Sequence, residues 1–178
     1  MKQSFITIFC ILSGFASLAG HDQRDDSAAK AIETWVNPAF FKFIRDGNFF
    51  SVKQLLEATP AFNINDYERE NSVRAWPLPN AHTAIETATQ SGHADITRLL
   101  ADRGANLIDA LNTHNPAIQR KILDTLIKAG VNLNYQSPDT GWTPLIAATA
   151  RSYPYLVERL LSLPSVDPTI KDNMGNTY

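Results

Sequence analysis

Histidines are the side chains of this sequence best suited to acid–base or metal chemistry, and all four stand apart from one another. A catalytic site needs a base beside a nucleophile, and a zinc site needs three or four converging ligands. His82 and Glu86 lie four residues apart and could share a helix face, but two ligands without a third make a poor metal site. His93 follows Gly92 and is predicted to be a turn residue. We therefore predict no catalytic residue, no metal site and no cofactor for a chain whose histidines are His21, His82, His93 and His114.

The carboxylates, glycines and cysteine also give no sign of a catalytic site. Asp66, Glu68 and Glu70 alternate with other residues in a segment that reads as a solvated loop. The eight glycines are scattered, and the sequence contains no glycine-rich phosphate loop. The single cysteine, Cys10, excludes a disulfide framework, a thiolate zinc site and paired-thiol redox chemistry. The sequence predicts a protein that is not an enzyme.

Composition sets the class of protein. The chain has 178 residues, of which 44% are hydrophobic and 19% are charged, so it can bury a core as one domain. Sixteen basic residues against 18 acidic ones give a formal net charge of −2, which provides no electrostatic reason to bind nucleic acid.

The first twenty residues carry a single charge, Lys2, followed by an apolar run from Phe5 to Leu12. Ser17 and Ala19 are small residues in the −3 and −1 positions of a cleavage site. We interpret residues 1–19 as a secretory signal peptide cleaved after Ala19; an uncleaved membrane anchor is the alternative. The mature chain, residues 20–178, would then contain no thiol and is predicted to be periplasmic or secreted, with contact to a membrane only before cleavage.

An apolar pair recurs four times with the same surroundings. Another apolar residue precedes each pair by three positions, and the i, i+3, i+4 spacing predicts one face of an amphipathic helix. A helix-ending residue follows each time: Pro60, Gly104, Gly130 and Pro164. The four sets are Val52 with Leu55 and Leu56, Ile96 with Leu99 and Leu100, Leu123 with Leu126 and Ile127, and Val157 with Leu160 and Leu161.

A second helix is predicted upstream of these. Thr143 can cap a helix whose first residue is Pro144, a position that loses no donor. Thr83 and Glu86 have the spacing of a capping box in the matching segment of another unit. Each unit is therefore predicted to be a pair of short helices.

The combined offsets are similar to those of ankyrin-repeat proteins. The residues that carry the resemblance are Thr143-Pro144-Leu145 with Ala147-Ala148, Ser91 to Ile96 with Leu99-Leu100, Arg103 to Asn106, Lys128 to Asn134, and Arg45 to Asn48 with Val52 to Leu56. The resemblance implies an all-α solenoid of about four helix–turn–helix units, joined by projecting β-hairpin fingers, with a concave surface that binds other proteins. The predicted organisation is a linker and capping helix at 20–37 and a repeat domain at 38–178, with units at about 38–66, 80–107, 108–134 and 139–170 and the start of a fifth at 171–178.

The sequence departs from the family pattern in the middle and at both ends. The connection from Asn63 to Ala81 is long, the third unit is short, and Asn115-Pro116 stands where we expect that unit's first helix to end. The Thr-Pro-Leu-His motif ends instead in Glu86, Asn112 or Ile146. The chain stops either at a native end or at a truncation, and we expect Leu156, Val157, Leu160 and Leu161 to be partly exposed. Ala28, Ile32, Trp35 and Val36 are predicted to form a capping helix, or alternatively a docking helix for a partner.

Protein interfaces concentrate their binding energy in Trp, Tyr and Arg, so such residues in fingers and turns are the candidate partner-binding set. One group lies in the long connection, where Trp76 could equally fold back over the first unit. The other lies in the last two units. The predicted partner-binding residues are Tyr67, Arg69, Arg74, Trp76, His82, Tyr135, Trp142, Arg151, Tyr153 and Tyr155.

These features predict a non-catalytic periplasmic module that binds a protein partner. The sharper hypothesis is an immunity protein that neutralises a toxic secreted effector. The alternative is an accessory factor that protects or assembles a periplasmic enzyme.

Overall fold

A computed structural model describes residues 36–60, 62–65, 82–111, 113 and 115–178. These residues form eight α-helices and contain no β-strand, which supports the all-α prediction for this part of the chain. The signal peptide and most of the predicted capping helix lie outside the described residues. The helices are α1 Asn37–Arg45, α2 Phe49–Ala58, α3 Ala84–Ser91, α4 Ala94–Asp102, α5 Leu107–Ala110, α6 Pro116–Ala129, α7 Pro144–Ala150 and α8 Pro154–Leu161.

In three of the four units the two helices pack against each other, α1 with α2, α3 with α4 and α7 with α8; in the third unit α6 packs chiefly against α3 and α4 of the preceding unit. The first helices of the pairs contact one another in chain order, α1 with α3, α3 with α5 and α5 with α7, and form an inner row. The second helices do the same, α2 with α4, α4 with α6 and α6 with α8, and form an outer row. Because the units contact their neighbours in sequence, the same surface position recurs side by side along each row.

Local capping explains where the inner-row helices begin. Thr83 Oγ1 accepts a hydrogen bond from Glu86 N at 3.4 Å and starts α3, and Thr143 Oγ1 accepts from Ile146 N at 3.2 Å and starts α7. Pro144 occupies the first turn of α7, as predicted. On the outer row, α4 and α6 are followed by Gly104 and Gly130, with φ of +88° and +63°, a left-handed conformation that favours glycine.

The core runs between the two rows. In each of the three later apolar pairs, one residue is fully buried: Leu100, Leu126 and Leu160. At the N-terminal end, Phe40 packs edge-on against Phe41 and Phe62, with ring centroids 5.9 and 4.7 Å apart, and Val36 is fully buried.

Three sequence-based expectations need correction. Ile127, which the spacing placed on the apolar helix face, is 37% exposed because no further helix covers that side of the outer row in the described structure. Leu161 is 43% exposed, as expected at the end of the chain. Leu156 and Leu160, which we expected to be partly exposed at the end of the chain, are fully buried against α6 and α7.

The third correction concerns the middle unit. Asn115-Pro116 begins a helix instead of ending one, because Asn115 Oδ1 accepts from Ala117 N at 3.0 Å and from Ile118 N at 3.4 Å. The first helix of this unit, α5, has only four residues, whereas α6 has 14. The third unit is therefore short because its inner helix is short.

Asparagine side chains connect successive turns of the chain. Asn65 Oδ1 accepts from Asn106 N at 2.8 Å. Between the third and fourth units, Asn134 Oδ1 accepts from Asp167 N and Asn134 Nδ2 donates to Ser165 O, both at 2.8 Å. Among the described residues, no helix is both long and apolar enough to cross a membrane.

Candidate functional site

Charged and aromatic side chains gather where α3, α5 and α7 lie side by side with the loop that precedes α7. We call this group the inner patch. It comprises His82, Glu86, Asp109, Tyr135, Asp139, Trp142 and Arg151.

The α3 side of the patch is a buried carboxylate held by two neighbours. Glu86 is 9% exposed, and its Oε1 lies 2.7 Å from His82 Nδ1 and accepts from Gln90 Nε2 at 3.0 Å. His82 precedes the cap Thr83 and is not part of α3, so the two residues meet through their side chains and do not share a helix face.

Asp109 sits at the equivalent place on α5. Asn106 caps this helix by accepting from Ile108 N at 3.1 Å, and Asn106 Nδ2 donates to Asp109 Oδ1 at 3.3 Å. Burial raises the pKa of Asp109 above its ordinary value; Arg151 opposes this rise, while Glu86 and Asp139 add to it. The carboxyl group of Asp109 therefore lies near enough to those of Glu86 and Asp139 to be influenced by both.

Arg151 ends α7 and lies over the ring of Trp142, with its Cζ atom 5.8 Å from the ring centroid. This is the distance range of a cation–π contact. Its Nη1 atom is buried and has no hydrogen-bond acceptor among the described residues. The guanidinium is thus positioned by stacking.

The loop before α7 is fixed by its own hydrogen bonds and by the end of the chain. Ser137 N donates to Trp142 O at 2.9 Å, and Gly141 N donates to Ser137 O at 2.8 Å. Gln136 Nε2 donates to Lys171 O at 2.9 Å, and Asn173 N donates to Thr140 O at 3.1 Å. The loop that carries Asp139 and Trp142 is therefore fixed both by hydrogen bonds within the loop and by hydrogen bonds to residues 171 and 173.

Tyr135 lies at the start of this loop and is partly buried. Burial raises the pKa of Tyr135, and the charges of Asp109 and Asp139 add to the rise. The phenol therefore shares the electrostatic environment of the two carboxylates.

The structure brings together four residues of the predicted partner-binding set: His82, Tyr135, Trp142 and Arg151. Tyr67, Arg69, Arg74 and Trp76 lie outside the described residues, so their role stays a prediction.

Two residues of the predicted set lie elsewhere. Tyr153 is 4% exposed and belongs to the core, so its side chain offers a partner almost no surface, and the assignment of Tyr153 to binding is corrected. Tyr155 lies on the outer row, where Arg120 Cζ stands 5.4 Å from its ring centroid. Tyr155 therefore belongs to a different surface.

The sequence did not single out Asp109 or Asp139, and it indicated Glu86 as a helix-capping residue and as a candidate metal ligand but not as a binding residue. A usable signal was present: Glu86 stands three residues after the cap Thr83, and Asp109 stands three residues after the cap Asn106. The same helix position in neighbouring units of a stack is expected to meet on one surface. Asp139 has no such periodic signal.

Other surfaces are less suited to recognition. His93 caps α4, and its Nε2 lies 3.1 Å from Arg45 O, which confirms a structural role in the turn. An open groove of about 260 Å³ along α6 is lined mainly by Arg120, Lys121, Asp124 and Lys128, which are the side chains of a solvated helix face. Among the described residues, no cluster of three or more potential metal ligands occurs.

Comparison with known protein families identifies one segment of the chain. Residues 140–173 match the family model of the ankyrin repeat, a segment that contains α7, α8, Trp142 and Arg151. No curated protein matches the chain. Ankyrin repeats are generally protein–protein interaction modules and typically have no catalytic activity. The match supports an ankyrin-repeat protein and is consistent with a protein partner.

Proposed function

We propose that this protein is a non-catalytic binding module of the periplasm, in which an ankyrin solenoid holds a protein partner against its inner row and loops. The ankyrin-repeat match at residues 140–173 carries this proposal, because the matched segment supplies part of the inner patch. In the family, the surface at this position is the concave face with its fingers.

The side chains of the patch suit this role. Trp, Tyr and Arg contribute most to binding when they are held in fixed positions by their surroundings. Trp142 and Arg151 are stacked on each other, and the loop that carries Trp142 is hydrogen-bonded to the segment 171–173. Because these side chains and this loop are already held in place, binding would cost little further conformational entropy.

The more specific proposal is that the partner is a toxic secreted effector and that this chain is its immunity protein. It is supported by the predicted export signal, the small size of the chain and its slightly acidic charge. Such an inhibitor needs an affinity in the nanomolar range or tighter and an extended interface.

Capture of partners from periplasmic and secreted fractions tests the proposal, because the chain offers two matched cation–π pairs. Trp142→Ala with Arg151→Ala removes the pair on the inner patch, and Arg120→Ala with Tyr155→Ala removes the pair on the outer row. We expect the first double variant to lose a tightly bound partner that the second retains.

The identity of that partner separates the specific roles. A toxic hydrolase whose activity is blocked in the complex would support the immunity proposal, and a housekeeping enzyme would favour an accessory factor. Retention by the inner variant together with loss by the outer variant would move the binding surface to Tyr155. Absence of any tight partner would contradict the proposal.

A further inference from the structure

His82 is a titratable side chain of the inner patch that a bound partner can reach. Its side chain is 43% exposed, whereas the side chain of Glu86 beside it is 11% exposed. The two meet through His82 Nδ1 and Glu86 Oε1, which lie 2.7 Å apart. Because histidine changes its charge near neutral pH, a surface that contains this pair can respond to pH.

The hydrogen bonds of this pair assign the hydrogen of the neutral ring. Glu86 Oε1 also accepts from Gln90 Nε2 at 3.0 Å, and an ionised carboxylate can only accept. His82 Nδ1 therefore donates to Glu86, and in the neutral ring the other nitrogen, Nε2, is an acceptor. A proton taken up by the ring goes to Nε2, and the hydrogen bond from Nδ1 to Glu86 is kept.

Protonation of His82 changes the surface without rearranging the pair. Nε2 turns from an acceptor into a donor, and the ring gains one positive charge. The Glu86 carboxylate keeps both of its donors, so the change is confined to the part of the ring that does not contact Glu86. A partner whose contact fits the neutral ring therefore meets the wrong hydrogen-bonding group at acidic pH.

Other charged groups near this pair come from the neighbouring inner elements. Asp109 of α5 is influenced by Glu86, and Asp139 and Arg151 act on the same Asp109 carboxyl group, whose pKa burial raises. Asp109 is therefore the nearby group whose titration has to be separated from that of His82. Helices α1, α4 and α6 also pack against α3. Their charged side chains are exposed apart from the half-buried Asp124: Lys42, Arg45, Asp95, Arg98, Asp102, Arg120, Lys121, Asp124 and Lys128.

We propose that His82 makes partner binding at the inner patch sensitive to pH. The neutral ring, held by Glu86, offers Nε2 as an acceptor to the partner, and protonation of Nε2 weakens the complex. This inference rests on the proposed function and names the regulation of the same surface. Binding at neutral pH and weaker binding on acidification follow, because an interface that fits the acceptor then contains an unmatched donor and an added charge.

The protonation of the ring can be measured without a partner. Imidazole ¹⁵N shifts of the full chain, followed by NMR between about pH 8 and about pH 5, show which ring nitrogen carries the hydrogen and where the ring titrates. His93 is the internal control, because its Nε2 lies 3.1 Å from Arg45 O, a group that only accepts. At neutral pH we expect the hydrogen on Nδ1 in His82 and on Nε2 in His93. A hydrogen on Nε2 of His82 at neutral pH, or a His82 ring that takes up no proton over this range, would overturn the proposal.

The affinity of the captured partner at about pH 7.5 and at about pH 5.5 tests the consequence for binding. We expect the complex with the parent chain to be about three- to tenfold weaker at the lower pH, the effect of one mismatched hydrogen bond. His82→Asn keeps an amide donor for Glu86 but cannot be protonated, so its affinity should change by less than about twofold. Asp109→Asn is the matched control that removes the other titrating group, and it should keep the pH dependence of the parent.

The same pH dependence in His82→Asn as in the parent, or its disappearance in Asp109→Asn, would overturn the role of His82. Either result leaves the proposed function standing if the partner is still captured through Trp142 and Arg151. Absence of a tight partner at both pH values would contradict the proposed function, and the regulation by His82 would be overturned with it.

Discussion

At the scale of single residues, the inner patch is assembled by helix caps. Thr83 and Asn106 each fix the first turn of an inner helix, and the residue three positions later, Glu86 or Asp109, is thereby directed to the same surface. A carboxylate on the protein surface is hydrated, whereas Glu86 is nearly buried and Asp109 is partly buried. Burial and the neighbouring like charges oppose the ionised form of Asp109 in the folded chain.

Replacement of Asp109 by Asn tests this cost through its pH dependence. Because the pKa of Asp109 is raised in the folded chain, the folded state holds this proton more tightly than the unfolded state. The associated stability is fully present below the ordinary pKa of about 3.9 and is lost as the pH rises through the raised folded value. The ionised carboxylate therefore destabilises the fold at neutral pH.

We expect Asp109→Asn to increase the free energy of unfolding at neutral pH by about 0.5 kcal/mol, and to lose that advantage as the solution is acidified toward the ordinary carboxyl pKa. Urea denaturation at several pH values measures the difference. Asp124→Asn on the outer face of α6 controls for the change in net charge. If Asp109→Asn were less stable than the parent chain at neutral pH, the ionised Asp109 would not be destabilising. If the free energy of unfolding of the variant and of the parent varied with pH in the same way, the pKa of Asp109 would not be raised by folding.

At the scale of the elements, asparagine side chains join one unit to the next. Asn134 makes two hydrogen bonds to the backbone of residues 165 and 167, each 2.8 Å long, whereas Asn132 accepts from Asn134 N at 2.9 Å within its own turn. The first residue therefore holds two units together, and the second shapes a single turn.

We expect Asn134→Ala to reduce the free energy of unfolding by about 1–2 kcal/mol, because two backbone groups lose their partner. Asn132→Ala is the matched control and should cost about 0.5 kcal/mol or less. Chemical denaturation of both variants gives the comparison. Equal losses would show that the bonds between units contribute nothing beyond the local turn.

The sequence predicts the elements well where local signals agree. Thr143-Pro144 and Thr83 mark the beginnings of inner helices, and Gly104 and Gly130 mark the ends of outer helices, as the structure bears out. Asn115-Pro116 was misread, since a residue before proline can either end a helix or cap the next one. Packing of α6 against both α3 and α4 decides this choice, and packing is not a local property.

Exposure and the binding surface were harder to predict for the same reason. Ile127 and Leu161 have the spacing of buried residues, but whether a neighbouring helix covers them depends on the stack. Trp142 and Arg151 were expected to bind on grounds of residue type, whereas their mutual stacking depends on the fold. Asp139 enters the patch through a loop whose position is set by residues 171–173.

At the scale of the whole molecule, the two rows of helices present different chemistry. The inner row with its loop carries the acidic and aromatic patch, and the outer row carries the lysines and arginines of α6 and the solvated pairs of α4. A module of this kind recognises a partner by one face. If the inner patch is the binding surface, we expect binding to protect the inner face and to leave the outer face free.

Hydrogen–deuterium exchange of the chain alone and in complex with its captured partner tests this claim most directly. We expect slower exchange on binding at residues 82–90, 107–111 and 135–143, with exchange in α4 and α6 unchanged. Protection confined to α4 and α6, with the inner row exchanging as it does in the free chain, would contradict the account.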